Sequence, residues 1–337
     1  MFDQPITAAE FEGLAAAAGA APSLHNSQPW RFRPTPDARG LQVYADPARA
    51  VPLADPEGRA RTVSVGAAVL NLRVAAGRLG RAADVRLLPE PAEPDLMAVL
   101  DLSAPGPALD PDLSAAIPHR HSGRRPFANR DVPEAVIEEL IAAAAAEGAV
   151  LTSLEEAGVR SVLTLTAQAE RRIAADPARR AEHRSWIRTD APADEGIPAS
   201  ALGPMDRDDR VPMRDFAGDS GPLPPERFEA LPQLCTLTTP GDGPVDWLRA
   251  GQALEHLWLL ATVRGVRANV LHQAVEFPDT RLMLRDPADS PGHVQLVLRL
   301  GYGPPGAPTP RRPVREILDL STLPGGPQLR TAAPMAS

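Results

Sequence analysis

Apolar positions along this chain alternate between helical and strand spacing, and the changes of period mark out a sequence of elements. Ala8 to Ala20 has helical composition, with Phe11 and Leu14 at i,i+3 spacing, and Gly19 and Pro22 close it. Trp30 to Phe32 and Leu41 to Tyr44 read as short strands around a Pro/Asp/Gly turn. A helix is expected from about Val63 to Leu79, stopped by Gly80, and strands follow near Val85 to Leu88 and Met97 to Leu102. The Pro-rich stretch 103–111 reads as a connection between two halves.

The second half starts in the same manner. Glu134 to Ala146 predicts a helix after Pro133, with Glu147-Gly148 as its stop, and Ala149 to Leu154 a strand. Arg160 to Ala175 predicts another helix, Gln233 to Thr238 a strand, Trp247 to Val263 a strongly apolar helix ending at Gly265, and His293 to Leu300 a buried strand.

Laid over each other, the halves show a repeat. Gly66-Ala67-Ala68-Val69-Leu70-Asn71-Leu72 through Gly80 matches Gly251-Gln252-Ala253-Leu254-Glu255-His256-Leu257 through Gly265 without a gap, at both glycines and at Ala68/Ala253, Leu72/Leu257 and Ala76/Ala261. The preceding pair, Gly13-Leu14-Ala15-Ala16 over Glu139-Leu140-Ile141-Ala142, aligns at an offset shorter by roughly 59 residues, which implies an extra segment inside the second half. The region of about 176–231, rich in Pro, Asp, Gly and Arg, is the candidate. Trp186, Ile187, Met205, Met213 and Phe216 give it apolar anchors, so an ordered lid is expected.

Composition narrows the function. With 43% hydrophobic residues in 337 the chain can bury one large core or two ordinary ones. A net charge of −8 disfavours a nucleic-acid footprint or a polybasic membrane patch and favours a small-molecule partner. The single Cys235 cannot form an internal disulfide, which points to the reducing cytoplasm. Ala18-Gly19-Ala20-Ala21 looks like a signal cleavage site, but Asp3, Glu10 and Glu12 stand where such a peptide needs positive charge, so a mature helix is expected. Nowhere do ~18 consecutive apolar residues occur. All 35 basic side chains are arginine, so arginine in place of lysine says nothing by itself.

Three segments carry candidate chemistry. Ala21-Pro22-Ser23-Leu24-His25-Asn26-Ser27-Gln28-Pro29-Trp30 packs hydrogen-bonding side chains between a helix stop and a strand. Taken alone it also fits a capped turn, with Ser23 and Asn26 bonding nearby backbone. His119-Arg120-His121-Ser122-Gly123-Arg124 sets two arginines four apart with a serine between. That pattern can serve both ends of a flavin mononucleotide, whose phosphate is dianionic and whose reduced ring is anionic at N1 and O2. By charge alone it is a solvated basic loop. No acidic or cysteine ligand is spaced to join His25, His119 and His121 around a metal, so no metal site is expected. The third segment is Pro310-Arg311-Arg312-Pro313, a further phosphate partner able to reach back after the last strand.

Together the segments resemble the nitroreductase superfamily. Ala21 to Phe32 is similar to its N-P-S-x-x-N-x-Q-P-W-x-F segment, here with Ala-Pro-Ser, Asn26, Gln28, Pro29, Trp30 and Phe32. Arg120-His121-Ser122-Gly123-Arg124 with Phe127 resembles its R-H-S-x-K/R segment, and Leu300-Gly301-Tyr302-Gly303 with Pro310 to Pro313 its C-terminal strand and basic residue. In ordinary members each motif occurs once per subunit, the basic segment comes first, and two subunits intertwine around each FMN. Here the order is reversed and the motifs are split between the halves. Ala149 to Leu154 carries no counterpart of the first motif. This resembles the internally duplicated Acg-like branch, whose members bind one FMN under a lid.

The resemblance implies an α+β fold of two fused pseudo-dimeric halves, 1–110 and 111–337, each with a mixed or antiparallel sheet flanked by helices. It also implies the lid at about 176–231. It assigns Arg120 and Ser122 to phosphate or ribityl, Arg124 to the pyrimidine edge, and Arg311 or Arg312 to the phosphate, with His121 also in the cofactor site. Ser23, Asn26 and Gln28 approach from the other half. Gly265 to Gln273 resembles the stretch along one ring face, but Val270, Leu271, His272 and Gln273 replace the usual P-I-E-G, so only backbone roles carry over to Leu271 and His272. The implied activity is ping-pong transfer of a hydride from NAD(P)H through flavin N5 to a small electron-poor acceptor, with no side chain demanded as acid or base. The alternative is a protein that stores FMN with little turnover. With the pairing internal, the chain is expected as a monomeric pseudo-dimer that has no need of a second copy.

Overall fold

The computed structural model describes residues 5–107, 111–188, 193–216, 224–285 and 292–323. Helix α1 (Ala8–Gly19) begins at a reciprocal cap: the Thr7 hydroxyl accepts from the Glu10 N–H, and the Glu10 carboxylate accepts from the Thr7 N–H. Strands β1 (Trp30–Pro34) and β2 (Gly40–Ala45) form a hairpin. Helix α2 (Arg59–Arg78) starts four residues before the expected Val63. Asp55 explains the early start, since its carboxylate accepts from the N–H groups of Ala60 at 2.9 Å and Arg61 at 2.8 Å, and the polar first turn hides the helix from its apolar pattern. Strands β3 (Asp84–Leu87) and β4 (Leu96–Asp101) complete a sheet in the order β1-β2-β4-β3.

After the connection, part of which lies outside the described residues, come α3 (Pro111–Ala116) and α4 (Glu134–Ala146). Strand β5 (Val150–Ser153) leads to α5 (Glu156–Ala175), which also starts earlier than its apolar pattern, at an acidic first turn. An excursion follows, with α6 (Pro177–Ser185) and the short parallel pair β6 (Ile187–Arg188) and β7 (Ile197–Pro198). The chain then forms β8 (Gln233–Thr239), α7 (Pro244–Val263), β9 (Arg267–Val270), α8 (Pro278–Met283), β10 (His293–Gly301) and α9 (Val314–Ile317). The second sheet runs β5-β8-β10-β9, and both four-stranded sheets are antiparallel throughout.

The two sheets share one topology. Leaving out the β6/β7 pair, each half places its first, second, fourth and third strands side by side in that order, with a helix before the first strand and a long helix between the second and third. The excursion fills the whole β5–β8 connection, where the first half has only a hairpin turn, and so takes in α5 as well as the segment from Asp176 to Leu231.

The halves meet along α2 and α7. Helix α2 is buried on nearly every side, as a helix held between a sheet and a second helix layer must be. A Cβ on Gly66 would lie 2.2 Å from the Leu248 carbonyl oxygen, and one on Gly251 2.0 Å from that of Val63. Gly66 matches Gly251 and Val63 matches Leu248 in the repeat, so the contact is reciprocal, as in a two-fold interface.

Two segments cross the interface and shape what lies there. The excursion is ordered over its described residues: Glu182 of α6 accepts from the N–H groups of Leu53 at 2.9 Å and Ala54 at 2.8 Å in the first half. Further on, the Asp206 carboxylate gathers the N–H groups of Asp208, Arg210, Val211 and Phe228 beneath a small core of Val211, Met213 and Phe228. The chain after β10 returns to the first sheet, where the Asp319 N–H donates to the Phe32 carbonyl at 2.8 Å. On the way it carries Arg311 and Arg312 to the loop after α1.

Candidate functional site

A cavity opens between the halves. Its walls are Pro22 to His25 and the first turns of α2 from the first half, and Ser122, Arg124, Leu254, Trp258 and Asn269 to Gln273 from the second. Gly203, Met213, Arg214 and Phe216 of the excursion roof it. Among the described residues the wall includes Arg59, Arg124 and Arg214 and no carboxylate.

The basic segment reaches this wall because it is laid along the second sheet. Ser122 bridges to Ala268 in parallel, and the Gly123 N–H donates to the Ala268 carbonyl at 2.8 Å. Gly123 is required by its packing, since a Cβ there would meet the Phe127 ring at 2.9 Å. Beyond it, Arg124 donates to the Ala201 carbonyl at 3.0 Å, and burial lowers its pKa to about 10 with no carboxylate acting on it. A buried cation without a counter-ion, on a cavity wall, is disposed to hold an anionic edge.

The loop after α1 is strained. His25, Asn26 and Gln28 all take left-handed backbone angles, at φ of 52°, 57° and 52°. Asn26 donates to the carbonyls of Gly196 at 2.9 Å and Pro310 at 3.0 Å and accepts from Arg311 at 3.0 Å. Gln28 donates to the Asp194 carbonyl at 2.8 Å and accepts from the Arg312 N–H at 2.8 Å. Ser23 holds the loop from within by accepting from the Gln28 N–H at 3.0 Å. Both amides therefore clamp the loop between the excursion and the C-terminal arm.

Of the residues singled out in the sequence, Ser23, Ser122, Arg124, Leu271 and His272 line the cavity, and Asn26 and Gln28 stand behind its wall. Arg120 also lies behind it. Its Nε is 3.3 Å from Oε1 of the buried Glu255, its guanidinium stacks on Trp258 at 4.8 Å, and it donates to the Ala20 carbonyl at 3.1 Å. Arg311 donates to the same carbonyl at 2.9 Å, so two buried guanidiniums converge beside one carboxylate. Burial raises the Glu255 pKa to about 7 against the pull of Arg120, while burial and then Arg120 lower that of Arg311 to about 9. Arg312 pairs with Asp46 at 3.7 Å and Glu316 at 3.9 Å, and His121 borders a separate surface groove with His119 and Arg267.

The structure adds groups that no motif marks. Arg59 donates to the carbonyls of Gln295 at 2.6 Å and Val275 at 3.0 Å. A cation in the first turn of a helix opposes the helix dipole, and that misplacement is the one sequence signal it gives. His183 of the excursion stacks near His25, with ring centroids 4.9 Å apart. Burial, followed by Arg214 for both, keeps these imidazoles neutral, His25 well below the usual range and His183 at about 3. Burial and then Arg59 do the same for His272. Cys235 is buried in β8, its thiol pushed up to about 12, and takes no part in the cavity. Among the described residues no cluster of three or more His, Cys, Asp or Glu is placed to hold a metal, and no helix is long and apolar enough to cross a membrane.

No family model matches the chain. A Mycobacterium tuberculosis protein named "Putative NAD(P)H nitroreductase Rv3131" is 32% identical over 311 residues, covering 89% of this chain and 88% of its own. The chain belongs to the nitroreductase superfamily. A second relative from that organism, "Putative NAD(P)H nitroreductase acg", is 28% identical over 328 residues, covering 94% of this chain and 97% of its own, and places this nitroreductase-superfamily chain in the Acg-like branch. A solved nitroreductase with bound FMN from Bacteroides fragilis covers 60% of the chain and 94% of its own, at 15% identity and a TM-score of 0.36.

Proposed function

We propose that the chain is an FMN-dependent NAD(P)H oxidoreductase of nitroreductase type, working in the cytoplasm on small electron-poor acceptors. The observation that carries this reading is Arg124, a buried cation without a carboxylate partner on the wall of a cavity to which both halves contribute. The name of the 32% identical relative, a putative NAD(P)H nitroreductase, agrees with it.

The residues fit the cofactor. Arg124 would hold the pyrimidine edge, and Ser122 and Ser23, which line the same cavity, would hold the ribityl chain. Arg120 and Arg311, which converge on the Ala20 carbonyl, supply more positive charge than Glu255 removes, and the buried Nε of Arg311 has no hydrogen-bond partner. They are the groups for a phosphate. Bound FMN supplies the hydride acceptor and donor at N5, and the protein contributes orientation, exclusion of water by the roof, and the cation that balances the reduced ring.

One FMN per chain is expected, with the halves 1–110 and 111–337 forming its two walls. At the position related to Trp258 by the internal repeat a polar cluster stands, which supports one site rather than two. There Arg73, the counterpart of Trp258, pairs with Glu147, which also holds His256 at 3.0 Å. Gln252 accepts from Arg73 at 3.0 Å. Purified protein should be yellow with about one FMN per chain. Under anaerobic conditions NAD(P)H should bleach it, and nitroaromatic or quinone acceptors should restore the colour; failure of any pyridine nucleotide to reduce the flavin would overturn the enzymatic reading.

The roof of Met213, Arg214 and Phe216 favours one other reading, a protein that sequesters FMN. Deleting about 190–225 decides between them: turnover that appears only after the deletion supports storage, and turnover already present in the full chain supports the enzyme.

A further inference from the structure

We propose that His25 and His272 form the acceptor subsite under the roof, with His183 packed against the His25 ring to position it, and that they select an uncharged planar acceptor whose oxygens accept hydrogen bonds. This rests on the flavin reading above, because it names what occupies the space that the cofactor leaves.

The hydrogen-bonding groups of the cavity decide the chemistry. Its cations are already committed: Arg214 pairs with Glu276 and lies 3.8 Å from Glu170, and Arg59 is bonded to the carbonyls of Gln295 and Val275. Arg124 belongs to the flavin edge. Ser64 donates to the Ala60 carbonyl at 2.7 Å, and Gln273 donates to that of Pro212 at 3.1 Å. On the cavity wall His25 and His272 present Nε2 atoms that are buried and without hydrogen-bond partners, and Nε2 of His183, beside the His25 ring, is likewise unpaired. A buried polar atom left unpaired costs about 1–3 kcal/mol, so the two on the cavity wall mark a site for a ligand that satisfies them.

The charge of that ligand follows. A cationic acceptor meets three arginines and no carboxylate among the described residues of the wall. An anionic acceptor finds no uncommitted cation under the roof. Neutral imidazoles offer each ligand oxygen a donor without a charge to match. The remaining surface is apolar: Phe216 stands edge-on to His25 at 5.8 Å and 89°, with Met213 and Leu271 beside it. His25 is held in its left-handed conformation by the clamped loop, and His183 packs against its ring. Such pre-organisation lets a neutral ligand bind without ordering the site.

Two quinones of one ring system test this, menadione as the neutral probe and 1,2-naphthoquinone-4-sulfonate as the anionic one. Binding to the oxidised holoprotein is read from quenching of tryptophan fluorescence, with no turnover required. Menadione should bind at least about tenfold tighter than the sulfonate. His25→Leu should weaken menadione about tenfold, the loss of one hydrogen bond. His25→Gln, which keeps a donor, should recover most of that loss, and His183→Leu should produce a smaller loss through the His25 ring. FMN content and circular dichroism report whether each variant is folded, and His25→Gln with His183→Leu carries the test if His25→Leu is not. Equal affinity for the two quinones, or unchanged menadione affinity in folded His25 and His183 variants, overturns the subsite. Normal menadione binding without flavin reduction by NAD(P)H would instead overturn the enzymatic reading and leave the subsite standing.

Discussion

Gly66 and Gly251 face each other where α2 crosses α7, and each approaches a backbone carbonyl of the other helix, Leu248 and Val63, closer than any Cβ allows. The approach is possible only because both residues lack a side chain. Gly66→Ala or Gly251→Ala must push the helices apart along the whole seam between the halves. Each should destabilise the protein by about 3 kcal/mol or more, at the upper end for overpacking a core. Gly13→Ala is the control. That glycine lies in α1 with nothing within 4 Å of its Cβ position, and the change should stabilise by about 0.5–1 kcal/mol. Chemical denaturation of the three variants checks all of this, and equal small effects would mean the seam is looser than described.

The reciprocal contact was legible in part from the sequence, because the glycines sit at matching places in two Ala-rich helices. Glu134 to Ala146 was readable to its last residue, since Pro133 and Gly148 punctuate it. The starts of α2 and α5 were not, because Arg59-Ala60-Arg61-Thr62 and Glu156-Ala157-Gly158-Val159 carry no apolar stripe; α2 is started by the Asp55 carboxylate just ahead of it and α5 by its acidic first turn. Strand β9 is four residues long and takes its identity from pairing with β10, a non-local fact. The same division runs through the site. Ser122 and Arg124 announce themselves by motif, while Arg59 and Arg214 reach the cavity from segments with no pattern only by folding, as His183 reaches the His25 ring.

Arg124 gives the most direct test of the cofactor. Arg124→Ala removes a cation that burial already disfavours and that no carboxylate supports, so the fold should tolerate the change. FMN retention should fall by about ten- to a hundredfold, the range for a hydrogen bond to a charged group. The flavin potential should move to a more negative value, because the reduced ring loses the charge opposite N1 and O2. Equilibrium dialysis and a dye-coupled redox titration measure the two quantities. An unchanged potential would show that Arg124 faces something other than the ring.

Asn26 and Gln28 predict a different pattern, since both act through the loop. Each ties the left-handed stretch to the excursion and to the C-terminal arm. Asn26→Ala removes three bonds and a side chain that tolerates positive φ, and Gln28→Ala leaves the Arg312 N–H without its acceptor. Each should cost about 1–3 kcal/mol in stability. FMN should be lost more readily, yet the potential of the flavin that stays bound should be that of the parent. A shifted potential would move these amides from the clamp into contact with the ring.

Glu255 sets the pH dependence of the buried cation pair. It faces Arg120, Arg311 and Asn71, and burial raises its pKa from 4.5 to about 7. In the unfolded chain the carboxyl ionises near 4.5, whereas in the folded protein it holds its proton until about 7. The folded state therefore binds more protons across that window, and stability falls as pH rises through it. The contribution is fully present below the unfolded pKa and is lost by about pH 7, with a slope of at most about 1.4 kcal/mol per pH unit. Glu170 and Glu276 are also raised by burial and add declines of the same sign, so the test is the difference between parent and Glu255→Gln. Denaturation midpoints from pH 4.5 to 7.5 should decline less steeply in Glu255→Gln. Identical slopes would mean that Glu255 is ionised throughout, held by Arg120 and Arg311 against the cost of burial.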